Sequence, residues 1–288
     1  MFLQKLVLLL VGSYITYLVS SRLMGNKGDT QDPKRTKELA RIANVDPKQL
    51  NDYEKGMLDC IIAPADVPGG YDGIIGLDSQ VQLLRRLVID TTKRTVNGII
   101  LHGVPGTGKT LLARATAKEI GCPFINFNVT TVEDKYVGES NRRLEAIFTL
   151  ATKVGKCVMF FDEADAIMST RNYNLDQNHV NSLKTNLLQH MDGIASKHNI
   201  VFIAATNNLS NIDKAFQRRL RVRVHVPLPD TNAIRTLLEK NVGGVDDEIV
   251  TTCFSEGFSL SDVDQLCVLS SYEDSVKNAL QLLLTEKK

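Results

Sequence analysis

Gly103-Val-Pro-Gly-Thr-Gly-Lys-Thr110 fits the pattern G-x-x-x-x-G-K-[ST] at every fixed position. Its glycines let successive backbone N–H groups point into one concave nest that holds phosphate oxygens. In that pattern Val104, Pro105, Gly106, Thr107 and Gly108 line the nest with their backbone. Lys109 can reach the outer phosphates, the Thr110 hydroxyl can ligate Mg²⁺, and Leu111 starts the helix behind it. The flanks agree. Gly98-Ile-Ile-Leu101 reads as a short buried strand and residues 111–118 as a helix, so the loop sits at a helix N-terminus, where the dipole favours anions.

Outward from the loop, strand and helix patterns alternate. Residues 123–128, 157–161, 200–204 and 222–226 read as strands. Cys157-Val-Met-Phe-Phe161 is apolar throughout, as a strand buried on both faces must be. Between them, residues 140–154 place Leu144, Ile147, Phe148 and Ala151 on one helical face, and Val180, Leu183, Leu187, Leu188 and Met191 mark another helix. Alternation of this kind predicts an α/β fold, a parallel sheet with helices on both faces. From Pro229 onward only helical patterns remain, which predicts a small all-helical unit over 230–288 after an α/β unit over 63–229.

Two acids follow the buried strand directly. Asp162 is placed to hold Mg²⁺, and Glu163 to accept a proton from an attacking water. Asp-Glu after a strand also serves as a helix N-cap, but the upstream phosphate loop favours the catalytic reading. Ala204-Ala-Thr-Asn207 ends the next strand, so Asn207 falls at the carboxyl edge where ligands of open parallel sheets bind. Arg218 and Arg219 precede the last strand, with Arg221 and Arg223 beyond. Their spacing alone describes a solvated basic face; an arginine from a neighbouring protomer can also stabilise transition-state charge.

The ends differ from this body. Residues 6–19 carry no charge, and residues 2–21 are about long enough to cross a ≈30 Å hydrocarbon layer. A signal peptide and a buried core helix fit the same run. A signal peptide would deliver an ATP site to an oxidising space, against the five scattered cysteines, none in C-x-x-C. We therefore expect a transmembrane anchor over 1–21. Arg22, Lys27, Lys34, Arg35, Lys37 and Arg41 follow it against Lys5 before it, which puts the body on the cytosolic side. Residues 22–62 are polar, with helix starts at Asp32-Pro33 and Asp46-Pro47, and read either as a solvated linker or as a spacer that packs on the body. A net charge of +1 implies no broad nucleic-acid surface.

Four ordered motifs together resemble the AAA ATPase module. They are Gly103–Thr110, Phe160-Phe-Asp-Glu-Ala-Asp165, Ala205-Thr-Asn207 and Asp213-Lys-Ala-Phe-Gln-Arg-Arg219. Asp134-Lys-Tyr-Val-Gly-Glu-Ser-Asn141, Asn211-Ile-Asp213, Arg218-Arg-Leu220 and the apolar N-terminus make the chain most similar to the membrane-anchored AAA proteins of the mitochondrial outer membrane, the Thorase or mitochondrial-sorting group. The resemblance implies ATP and Mg²⁺ as ligands and a homohexameric ring. It assigns Arg218 and Arg219 as fingers on a neighbour's nucleotide. Lys135, Tyr136 and Val137 would form a pore loop that grips a polypeptide, Gly76 would lie near the adenine, and Ser261 and Asp262 would start a nucleotide-sensing helix. The implied work is extraction of mislocalised, tail-anchored membrane proteins at the mitochondrial outer membrane, with peroxisome and endoplasmic reticulum as other membranes. Microtubule severing or filament disassembly is the alternative within the family, and an ATP-binding scaffold the alternative outside it. The chain departs from the family at Val104 (usually proline), Ile75 (usually glycine), Val137 (usually aromatic) and Leu260 (usually glycine).

Overall fold

The computed structural model describes residues 33–89, 98–128, 137–169, 177–195, 200–272 and 275–286. Its centre is a six-stranded sheet in the order β1-β3-β4-β5-β2-β6. The strands are β1 (Ile61–Ile62), β2 (Gly98–His102), β3 (Phe124–Phe127), β4 (Cys157–Phe161), β5 (Ile200–Thr206) and β6 (Val222–His225). All pairings are parallel except β1 with β3, which is antiparallel. This edge strand departs from the all-parallel expectation, and two residues are too short to announce it in sequence.

Helices cover both faces. They are α1 (Pro33–Ile42), α2 (Asp52–Gly56), α3 (Asp78–Leu84, followed by a π turn over Arg85–Ile89), α4 (Lys109–Ile120), α5 (Val137–Val154), α6 (Asp165–Met168), α7 (Gln177–Ala195) and α8 (Lys214–Arg219). The period-2 alternation of β4 divides the core. Cys157, Met159 and Phe161 face α5 and α7, while Val158 and Phe160 face α4. All five β4 residues are buried, as its unbroken apolar run requires. C-terminal to the sheet, α9 (Thr231–Val242), α10 (Asp247–Ser255), α11 (Leu260–Ser270) and α12 (Val276–Glu286) enclose their own core of Ile234, Leu238, Val250, Phe258, Leu266 and Leu283.

Residues 33–62 are not a solvated linker. Ala40, Ala43, Leu50, Met57, Leu58 and Ile61 join the core on the α5 side. Glu54, 1% exposed, is capped into α2 by Asn51 and ion-paired at 2.7 Å to Lys153 near the end of α5. The Lys153 ammonium also donates to the Gln49 carbonyl at 2.7 Å. At the other end of α5 the Tyr53 hydroxyl donates to Glu139 Oε2 at 2.9 Å and accepts from Arg142 at 3.3 Å. The segment is a strap along one helix. No helix among the described residues is long and apolar enough to cross a membrane; the apolar run of residues 1–21 lies outside them.

Candidate active site

The strand order assembles the site. β5 lies between β2 and β4, so the loop after β2 passes over the end of β5, where the Gly103 N–H donates to the Thr206 carbonyl at 3.3 Å. That crossing brings Thr110, the second residue of α4, to Asp162 at the end of β4. The Thr110 hydroxyl donates to Asp162 Oδ2 at 3.2 Å. A hydroxyl and a carboxylate oxygen at this separation are hard oxygen ligands of the kind Mg²⁺ takes alongside water and phosphate.

Lys109 is half-buried and donates to two carbonyls of its own loop, Gly103 at 3.0 Å and Val104 at 2.8 Å. Burial pushes its ammonium below the ordinary lysine value, and the carboxylates of Asp162 and Asp165 push it back up. Two of the three ammonium donors of Lys109 are thus held by its own loop, and the third is left for a phosphate. Thr107 is fully buried and ties the loop to itself, its hydroxyl donating to the Val104 carbonyl at 3.0 Å. Val104 and Leu111 stay exposed, leaving apolar surface on each side of the nest.

Glu163 has φ +46°, a left-handed conformation uncommon for a residue with a Cβ. It follows a fully buried strand and is held there by its N–H donating to Asp162 Oδ1 at 3.0 Å, while the next N–H, of Ala164, donates to the Ala205 carbonyl at 2.8 Å. The turn leaves the Glu163 residue exposed at the carboxyl edge. Strain of this kind collects at functional sites because surrounding structure must hold it. The Thr206 hydroxyl donates to the Asp165 carboxylate, and Asn207 follows it, exposed, on the same edge.

The C-terminal helices close the site from above. The Ser261 N–H donates to the Gly106 carbonyl at 3.1 Å. Gly106 has φ +75°, and a Cβ there would lie 2.5 Å from the Ser259 hydroxyl, so both space and backbone require glycine. Asp262 faces inward on its own helix, accepting from the Ser259 N–H at 2.8 Å and its hydroxyl at 2.9 Å in a capping box. A cleft of about 400 Å³ opens between Val104, Pro105, Leu228, Gly257 and Ser261. Gly76 meets α9 so closely that a Cβ would run into Ala233. Leu260 extends over the nest, 3.4 Å from where a Gly108 Cβ would sit.

The two arginines part company. Arg219 ends α8 as a bidentate partner of Asp192 on α7, with Nε to Oδ1 at 2.7 Å, and it also donates to the Ala215 carbonyl at 2.9 Å. Arg218 is exposed, and its guanidinium makes no contact of this kind among the described residues. Lys135 and Tyr136 lie outside the described residues, and Val137 is the first residue of α5. Sequence reasoning missed Asp192, which no spacing marks, and Ser259, which the S-x-x-D string Ser259-Leu-Ser-Asp262 does mark.

Residues 99–229 match the profile of the family described as ATPases associated with various cellular activities (AAA). The outer mitochondrial transmembrane helix translocase of Danio rerio is 30% identical over 273 residues, covering 88% of this chain and 71% of its own length. The Homo sapiens protein of that name is 30% identical over 272 residues, covering 88% and 75%. A katanin p60 ATPase-containing protein of Danio rerio is 30% identical over 269 residues, covering 84% of this chain and 55% of its own. Among solved structures, the FIGL-1 AAA domain superposes with a TM-score of 0.67 at 22% identity, over 83% of this chain and 90% of that one.

Proposed function

This chain belongs to the AAA family of ATPases, and we propose that it uses ATP hydrolysis to pull tail-anchored membrane proteins out of a bilayer. The observation that carries this reading is the similarity to translocases over 88% of the chain, joined to the Thr110–Asp162 pair at the root of the phosphate loop. Bound Mg²⁺ would neutralise charge on the phosphates. Thr110 and Asp162 are the residues to hold it, and Lys109 with the loop N–H groups the residues to hold phosphate. Glu163, projected from its left-handed turn, is the base that takes the proton from water, and Asn207 on the neighbouring strand end orients that water.

Arg218 is free to reach a neighbour's nucleotide across a hexamer interface, whereas Arg219 sets the end of α8 through Asp192. Lys135, Tyr136 and Val137 are the gripping loop, whose apolar and aromatic contacts tolerate any client sequence. Residues 1–21 anchor the body on the cytosolic side of the mitochondrial outer membrane, and residues 63–229 and 230–288 act as large and small units of the motor. Similarity to a katanin p60 protein supports a second client, the microtubule, for the same motor.

Full-length protein in liposomes carrying a tail-anchored client separates these. Glu163→Gln is expected to keep ATP binding and to lose turnover by at least ~100-fold, with extraction lost in parallel. Turnover that survives Glu163→Gln overturns the base. Turnover with microtubule breakage and without extraction overturns the membrane client.

A further inference from the structure

Outside the nucleotide site, two imidazoles meet at the root of the phosphate loop. His102 is the last residue of β2, directly before Gly103, and His225 is the last residue of β6. They are register partners on adjacent parallel strands, so their side chains project from the same face of the sheet. Their ring centres are 5.2 Å apart and the rings are tilted by 42°. The backbones that carry them are fixed. The Val226 N–H donates to the His102 carbonyl at 2.8 Å, and the Gln80 amide donates to the His225 carbonyl at 3.0 Å.

A single metal ion held at ~2.1 Å by one nitrogen from each of two imidazoles, at a roughly tetrahedral angle, places the ring centres about 5 Å apart. We propose that His102 and His225 form a binding site for a borderline divalent metal, Zn²⁺ above all, that staples the end of β2 to the end of β6.

The surroundings suit an exchangeable ion. No third His, Cys, Asp or Glu joins the pair among the described residues, so water completes the coordination, unlike the closed four-ligand shell of a structural zinc. Arg223, the nearby cation, has its guanidinium turned to Gln217 at 2.9 Å. In the same row of strand ends, Thr206 is register partner to His102 and is bonded to the Asp165 carboxylate, which supplies negative charge one strand away. The imidazole pair selects against Mg²⁺, which prefers oxygen, so one chain carries two metal chemistries on the same sheet edge.

The functional half of this inference rests on the ATPase reading. The loop that carries Lys109 leaves β2 directly after His102, so a metal staple at that root is expected to stiffen the phosphate nest and slow turnover.

The test is calorimetric titration of Zn²⁺ into the full-length, detergent-solubilised protein without nucleotide, comparing the unaltered chain with His225→Ala and His225→Gln. Thiols are common to all three, so the difference between isotherms reports the histidine pair. Loss of one of two ligands is expected to weaken that binding by at least ~10-fold, since even outer-shell partners cost that much. Zn²⁺ under excess Mg²⁺ and ATP is expected to slow the unaltered enzyme several-fold more than either variant, and a zinc-selective chelator to restore it. Identical isotherms for all three overturn the site and leave a plain aromatic contact. Different isotherms with equal inhibition overturn the control of turnover. A chain with no turnover leaves the isotherms to decide the site by themselves.

Discussion

The body of the molecule is held from two sides in opposite ways. On one side the strap of residues 33–62 shares the core with α5 and fixes it by a buried carboxylate, Glu54, that Lys153 neutralises. On the other side the C-terminal helices keep a core to themselves and touch the phosphate loop through a glycine, a backbone hydrogen bond and the rim of an open cleft. Separating the first contact exposes apolar surface and strands a charge. Separating the second breaks a backbone hydrogen bond and small apolar contacts at Gly76 and Gly108. The first contact is built to persist and the second to open, which is what a site that must admit and release nucleotide needs.

Four substitutions sharpen or break that contrast, the largest effect first. Gly106→Val puts a branched side chain where φ is +75° and the Ser259 hydroxyl has no room. A displaced loop is expected to lower ATP turnover by about 100-fold or more, with circular dichroism unchanged. Retained turnover would mean that the C-terminal helices stand farther from the loop during catalysis.

Glu54→Gln removes the partner of Lys153. For a pair with one member fully buried and the other one-third exposed, we expect a loss of ~2–3 kcal/mol in chemical denaturation, and little change in the KM for ATP. The same pair predicts a pH dependence. Burial pulls the Glu54 carboxyl up, but the hydrogen bonds from Lys153, the Asn51 N–H and Thr149 outweigh it, so the net position is below the ordinary value of 4.5. The unfolded carboxyl takes up its proton first on acidification, so the stabilisation is complete above pH 4.5 and is lost as pH falls through the lower folded value. Limited proteolysis of the strap against pH reads this directly; release at neutral pH would contradict it.

Ser259→Ala removes the cap of α11, and about 1 kcal/mol should be lost from the C-terminal helices alone, measurable by hydrogen exchange. Asp192→Asn, at an exposed pair, should cost under ~1 kcal/mol of stability. Its effect on turnover distinguishes Arg219 as a positioning group from Arg219 as a second finger. Loss of turnover equal to that of Arg218→Ala would argue for a shared role.

Much of this was legible in the chain because period and punctuation are local. The unbroken apolar run at 157–161 and the helical spacing of Leu144, Ile147, Phe148 and Ala151 state their burial within a few residues, and the loop at 103–110 states its phosphate nest. What was not legible is pairing across distance. The polar composition of 33–62 does not say that Glu54 is buried, because its burial depends on a lysine 99 residues away. Two residues of edge strand carry no periodicity. The Arg218-Arg219 doublet looks symmetric in sequence and is made asymmetric by Asp192, whose place follows from how α7 lies beside α8. The His102–His225 contact follows from strand order, which alternation alone does not give.

The same strand order has a consequence for birth on the ribosome. β2, which carries the phosphate loop, sits between β5 and β6, and both are made after it. The loop residues therefore emerge without either neighbour and wait for residues up to His225 to follow, about 10 s at ordinary synthesis rates. During that interval the nest has no frame, and β2 is an apolar segment with two open sides, a target for chaperones and for wrong partners. The strap, made first, already offers α5 a surface when α5 arrives. The nascent chain should thus acquire its fixed side before its working side, and nucleotide can stabilise the fold only once the last strand is in place.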